Sequence, residues 1–171
     1  LLRWTYGLAR EALKTEQRQK NPYLSFLTLN FLIHKDIFKT VHFNEDIPNL
    51  RHEDSLFSYH LKINQIKITH LENPVEHLGL DPFENALTKE KESLFALKNL
   101  LDQNLIAPDY IKMGKIFTAL KKYRLTFFGA LFYNGTKHLF LKNMSSSNPS
   151  LFIFDMYRLG YLCKLETDSS A

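Results

Sequence analysis

The sequence predicts an α+β fold, with amphipathic helices packed on a largely antiparallel sheet of about four to five strands. Three observations predict it. Apolar residues recur at helical spacing near the start and in the middle of the chain, the mark of helices with one buried stripe. Asn134-Gly135 stands between two apolar runs, and this pair is preferred in a tight hairpin turn. Residues 151–154 are apolar at every position, as in a strand covered on both faces.

Residues 2–18 read as an amphipathic helix. Trp4, Leu8 and Ala12, with Leu1, Leu2, Ala9 and Leu13, form its apolar stripe, while Arg3, Arg10, Lys14 and Arg18 lie largely off it. Asn21-Pro22 offers a cap and a first-turn proline, which predicts a helix from Pro22 to about His34. The alternation of Leu27, Leu29, Phe31 and Ile33 leaves a strand there as the alternative. Residues 44–55 are polar, acidic and interrupted by Pro48, and so predict a loop.

In residues 56–71, Phe57, Tyr59, Leu61 and Ile63 alternate with Ser58, His60 and Lys62, and the apolar parity then flips to Ile66 and Ile68. A turn at Asn64-Gln65 accounts for the flip and predicts a first hairpin. One long bulged strand is the alternative. Pro74, Gly79 and Pro82 predict that 72–84 is loop with one helical turn. A helix from about Asp81 to Gln103 follows, opened by Asp81-Pro82, lined by Leu87, Leu94, Leu97 and Leu101, and stopped by Asn104. Pro108-Asp109 opens another, reaching about Lys122 and burying Ile111, Ile116, Phe117 and Leu120, with Lys112, Lys115 and Lys122 on a neighbouring stripe.

Residues 126–133 and 136–141 then form the second predicted hairpin. Its register sets Phe132 opposite Lys137, Ala130 opposite Leu139 and Phe128 opposite Leu141, with Gly135 at a positive φ that β-branched residues tolerate poorly. Residues 145–150 are a polar connector, 151–154 a strand, and Tyr161-Leu162-Cys163 a further strand after a bend at Gly160. Residues 167–171 are expected to fray.

A length of 171 residues fits one domain, residues 1–171. Apolar residues at 44% and charged residues at 23% exclude a disordered composition. A folded chain of this size buries roughly 70% of its unfolded surface, and fourteen Phe and eight Tyr supply bulky core material. One Cys excludes a disulfide framework and a zinc site built on several Cys. No apolar run approaches the ~20 residues of a membrane span. The opening Leu1-Leu2-Arg3-Trp4 lacks Met, as in a processed form or a piece of a longer chain, and residues 1–20 lack the apolar core of a secretory signal. The lone Cys163 points to a reducing, intracellular compartment, although a mature organellar protein would read the same way.

Charge is segregated. Residues 1–43 hold seven basic and three acidic groups, 44–109 six and twelve, and 110–171 nine and three, giving +4, −6 and +6. Residues 110–154 contain no Asp or Glu but hold Lys112, Lys115, Lys121, Lys122, Arg124, Lys137 and Lys142. These seven are the candidate residues for binding a polyanion or an acidic partner. The competing reading is that the acidic middle folds against the basic end and neutralises it.

The chemistry-bearing motifs are missing: there is no Gly-rich phosphate loop, no dinucleotide fingerprint and no Cys-x-x-Cys. Seven His give only scattered groups, His34-Lys35-Asp36 and His52-Glu53-Asp54 being the densest, with His60 and His70 brought together by the first hairpin. A metal site needs three or four converging ligands, so solvated or capping His is the expectation. Cys163 among Tyr161, Leu162 and Leu165 reads as a buried, inert thiol. Asp155 with Lys164 and Glu166 reads as a structural ion pair rather than a magnesium nuclease, because the acid–lysine order is reversed. No catalytic residue, metal ligand or cofactor is assigned.

The reading is therefore a non-enzymatic protein-interaction module or a small subunit of a larger assembly. The alternative is a nucleic-acid-binding protein that uses a basic surface in residues 112–142. Two helices followed by a hairpin is the element order of winged-helix DNA binders, although a third helix is missing and this hairpin is apolar for a wing. An unrecognised enzyme and a peripheral membrane binder rank below these. The partner is expected to be a protein, with nucleic acid as the second choice.

Overall fold

A computed structural model describes residues 1–46, 51–75, 79 and 81–169, and these hold eight helices and no strand. The helices are α1 (Leu2–Arg10), α2 (Thr15–Lys20), α3 (Lys35–Thr40), α4 (Glu53–Ile63), α5 (Phe83–Asp102), α6 (Lys112–Lys122), α7 (Thr126–Met144) and α8 (Leu151–Ser169). The α+β expectation is thus overturned: what the sequence suggested as sheet is helix.

The largest correction is the second hairpin. Residues 126–141 lie within the single helix α7, Asn134-Gly135 sits mid-helix, and no described glycine has a positive φ. Ala130, Tyr133, Lys137, Phe140 and Met144 face inward, a spacing of three and four residues that defines a helix face. The segment is apolar on its other side as well, so hydrophobicity alone carries little period there. A strong turn dipeptide then dominates the reading. The same holds for α8, which absorbs both 151–154 and Tyr161-Leu162-Cys163. A short run apolar at every position is equally the first turn of a buried helix. Without a hairpin the helix–helix–wing order also falls.

The first hairpin is corrected with a different outcome. Asn64-Gln65 is a turn, but it ends α4. Gln65 has φ 56°, its N–H donates to the Lys62 carbonyl at 3.0 Å, and the Ile66 N–H donates to the Leu61 carbonyl at 2.9 Å. That paired 6→1 and 5→2 pattern is a Schellman cap. Asn104 ends α5 and Arg124 ends α6 in the same way, so the predicted stop at Asn104 is present.

Nearer the start, the expected helix over 2–18 is broken into α1 and α2, and most of its stripe faces out. Leu2 is buried, while Trp4 and Leu8 are exposed. Residues 22–34 are turns and irregular chain rather than a helix or a strand. The predicted loop over 44–55 overlaps α4 from Glu53, and its residues 47–50 lie outside the described residues. The loop over 72–84 includes 76–78 and 80, which also lie outside them. Thr167 to Ser169 continue α8, and the remainder of the predicted frayed end is not among the described residues.

The helices close around linked apolar clusters. Leu94 and Leu97 of α5, Phe117 of α6, Ala130 of α7 and Leu162 and Cys163 of α8 form one. Leu2, Tyr133, Met144, Phe154 and Tyr157 form a second. Leu56, Leu100, Ile106 and Tyr110 bring α4 against α5. Phe57 is wrapped by Phe26, Phe31, Phe38 and Phe43, with the Phe43 ring stacked on it at 4.4 Å. Helices α7 and α8 form an antiparallel pair with the most extensive contact among the described residues. Glycine permits it: a β-carbon on Gly129 would stand 2.6 Å from Cys163 Sγ, and one on Gly160 would stand 2.8 Å from Tyr133 Cβ.

Candidate protein-interaction surface

Helix α7 has two apolar sides. One packs on α8 and α6. The other carries Phe127, Phe128, Leu131, Phe132 and Leu139, which are 62%, 64%, 59%, 47% and 68% exposed. At 100° per residue these five share one broad face with Asn134, Gly135, His138 and Lys142. They leave roughly 500 Å² of apolar surface in water, on the scale of ~150–250 Å² for a whole aromatic side chain. That is near the top of the ~300–600 Å² range for the largest patch on a monomer. Tyr123 and Leu125, in the turn that leads into α7, are exposed as well.

The seven predicted basic residues do not converge on one site. Lys112, Lys115 and Lys122 lie along the exposed face of α6 with Ile116 and Ala119 between them. Ile116 was expected in the core and is instead exposed there, whereas Phe117 is buried as expected. Arg124 occupies the left-handed cap position that ends α6. Lys142 is on the exposed face of α7, whereas Lys137 lies on its inward side and is partly covered. Among the described residues these six make no ion pair, and Lys122 lies over the Tyr123 ring at 6.0 Å.

Lys121 differs. Its ammonium stands 2.9 Å from Asp102 Oδ1 and 2.9 Å from Glu166 Oε1. Lys98, itself buried, joins the same two carboxylates at 2.6 and 3.1 Å. Burial opposes every charge in this group, but the mutual hydrogen bonds prevail, so the Lys98 and Lys121 values rise and the Asp102 and Glu166 values fall. Neutralisation by the acidic middle of the chain therefore reaches Lys121 but not the other six. Asp155 is likewise structural, taking Arg10 through two hydrogen bonds of 2.8 and 2.6 Å.

The other chemically suggestive groups are built into the scaffold. His52 has φ 61° and leads into α4; its Nδ1 lies 3.2 Å from Ser55 Oγ and its Nε2 lies 3.0 Å from Ser93 Oγ. Burial, reinforced by the Arg158 charge, lowers it to about 4, which leaves a weak base at neutral pH. His34 caps α3 by accepting the Asp36 N–H at 3.3 Å. His70 is not paired with His60 across a hairpin, and its Nε2 lies 2.9 Å from the Pro22 carbonyl. Cys163 is buried and pushed up to about 11 by desolvation, so it is protonated and sheltered. Among the described residues no three His, Cys, Asp or Glu side chains come together as metal ligands. No helix of the described residues is long and apolar enough to cross a membrane.

Sequence reasoning missed the α7 face because it divided those residues between two strands. The signal was present as an acid-free segment whose small and large apolar residues fit an inward helix face. No family model, curated protein or solved structure matches the chain.

Proposed function

We propose that the chain is a non-enzymatic interaction module, or a subunit of a larger assembly, that docks a partner protein on the exposed side of α7. One observation carries the reading. A helix apolar on all sides belongs in an interior, yet α7 leaves five large apolar side chains in water. Burying them against a partner removes that unfavourable exposure, at about 25 cal/mol per Å² of apolar surface. Large aromatic side chains are also the residues most often found at the centre of interfaces.

The test is Phe128→Glu combined with Leu131→Glu. Both side chains stand in solvent, so folding is expected to persist while recovery of protein partners from native lysate is lost. Retained partners in a folded double variant would overturn the reading.

A second reading, nucleic-acid binding, draws on Lys112, Lys115 and Lys122, which share one face of α6 and make no ion pair among the described residues. It predicts duplex or single-strand binding that weakens steeply with salt. Nuclease treatment of the lysate separates the two readings, since a protein partner survives it.

A further inference from the structure

Gly135 lies in the middle of the exposed face of α7, and nothing stands within 4 Å of the place its β-carbon would occupy. Leu131, Phe132, His138 and Leu139, at three and four residues on either side, ring it. Four side chains around an empty centre make the kind of hole that receives a knob from a facing helix. The chain uses glycine in this manner elsewhere. Gly129 and Gly160 sit where α7 and α8 approach so closely that a β-carbon would collide with Cys163 or Tyr133. Gly135 is the remaining glycine of α7, and its own structure supplies no neighbour. Glycine inside a helix is otherwise unfavourable, so a close-packed backbone opposite Gly135 accounts for it.

The charges around the face select the partner. Lys142 lies on it, Arg124 precedes its first turn, and Lys112, Lys115 and Lys122 line the exposed side of α6. No carboxylate occurs between residues 110 and 154. A second copy of α7, parallel or antiparallel, would bring these cations together without a counter-charge. A lipid surface would meet the charges but has no use for a hole around a glycine. A duplex would leave the aromatic face in water, and a single strand, whose bases could stack on the rings, has no use for the hole around Gly135.

We infer that the occupant of this face is an amphipathic helix of another protein, which crosses α7 at Gly135 and carries Asp or Glu beside its apolar stripe. The inference rests on the docking role proposed above and adds the shape and charge of the partner. Acids flanking the stripe would reach the Lys and Arg side chains at the rim, where charge complementarity sets partner choice and encounter rate more than affinity.

The experiment places a photo-reactive phenylalanine analogue at Phe128 or Leu139 in the full chain, irradiates it in native lysate, and identifies the adduct by mass spectrometry. A synthetic peptide of the captured segment is then titrated against the purified chain. The expected adduct is a segment with apolar residues at helical spacing and flanking acids. Its affinity is expected to fall at least ten-fold when those acids become Asn and Gln. It is expected to fall at least ten-fold again for Gly135→Leu, which fills the hole with no loss of melting temperature. Adducts on α7 of a second copy, on a segment without acids, or on one whose binding ignores Gly135→Leu overturn this inference but leave protein docking standing. Adducts on lipid or nucleic acid, or none at all, overturn both.

Discussion

Gly160 packs against Tyr133 so closely that a β-carbon on it would stand 2.8 Å from Tyr133 Cβ and 3.2 Å from its Cδ2. Tyr133 is buried, its ring lies 5.3 Å edge-on to Tyr157, and the two helices are in extensive contact. The tyrosine has nowhere to move without prising α7 from α8. Gly160→Ala is therefore expected to destabilise the fold by ~1–3 kcal/mol, the usual scale of overpacking in a full core. Thermal or urea denaturation reads this directly. A melting midpoint at or above that of the parent would contradict the close approach.

Gly135→Ala is expected to act in the opposite direction. The position is helical and its β-carbon would meet open space, so the substitution gains helix propensity of ~1 kcal/mol. The melting temperature should rise by ~2–4 °C for a chain of this size. A hairpin turn with Gly135 in the left-handed region would instead lose stability on the same change, so the sign of the effect separates the two structures.

That contrast shows what the sequence could and could not reveal. Helices α5 and α6 were legible because each has one apolar stripe, and α5 has Pro82 at its N-cap and a good stop residue at Asn104. The start expected for α6 at Pro108-Asp109 is instead a turn, and that helix begins at Lys112. Helices α7 and α8 were not legible: α7 is apolar on two sides, one packed in the core and one facing out, and α8 opens on a run that is apolar at every position. Periodicity then vanishes and local dipeptides such as Asn134-Gly135 outweigh it. The residue most characteristic of the candidate surface was thus read with the wrong backbone. The division of the cations was hidden for another reason. Lys121 and Lys122 are neighbours in sequence but point to different sides of α6, one to Asp102 and Glu166 and the other to solvent.

Stability is expected to depend on pH through His52. Its imidazole is held at about 4 in the fold by desolvation and by the Arg158 charge, against an ordinary value of 6.5. Between those values the unfolded chain binds the extra proton. The contribution is therefore complete above 6.5 and is lost as pH falls towards about 4, by up to about 2 kcal/mol between neutrality and pH ~5. His60, also lowered, acts in the same direction, and Glu53 and Asp54, raised by burial, act in the other. Comparing urea midpoints of the parent and His52→Gln at each pH isolates the His52 share. Equal pH slopes in the two proteins would show that the ring is solvated.

The basic residues are expected to separate by substitution. Lys115, Lys122 and Arg124 make no ion pair among the described residues, and all three are exposed. Changing them together to Glu is expected to alter stability by less than about 1 kcal/mol, since solvated charges contribute little. Lys121→Glu alone takes a cation away from Asp102 and Glu166 and sets a third carboxylate beside them. A loss on the order of 1 kcal/mol is expected from that single change. Binding should reverse the ranking. The triple variant is expected to bind an acidic partner weakly and with a flatter salt dependence, because the rim charges that attract it at low ionic strength have changed sign. Lys121→Glu should retain binding at temperatures where it is folded, its cation having been spent inside the molecule. A triple variant that unfolds, or that binds as tightly as the parent at low salt, would mean that these side chains are engaged within the fold and do not face a partner.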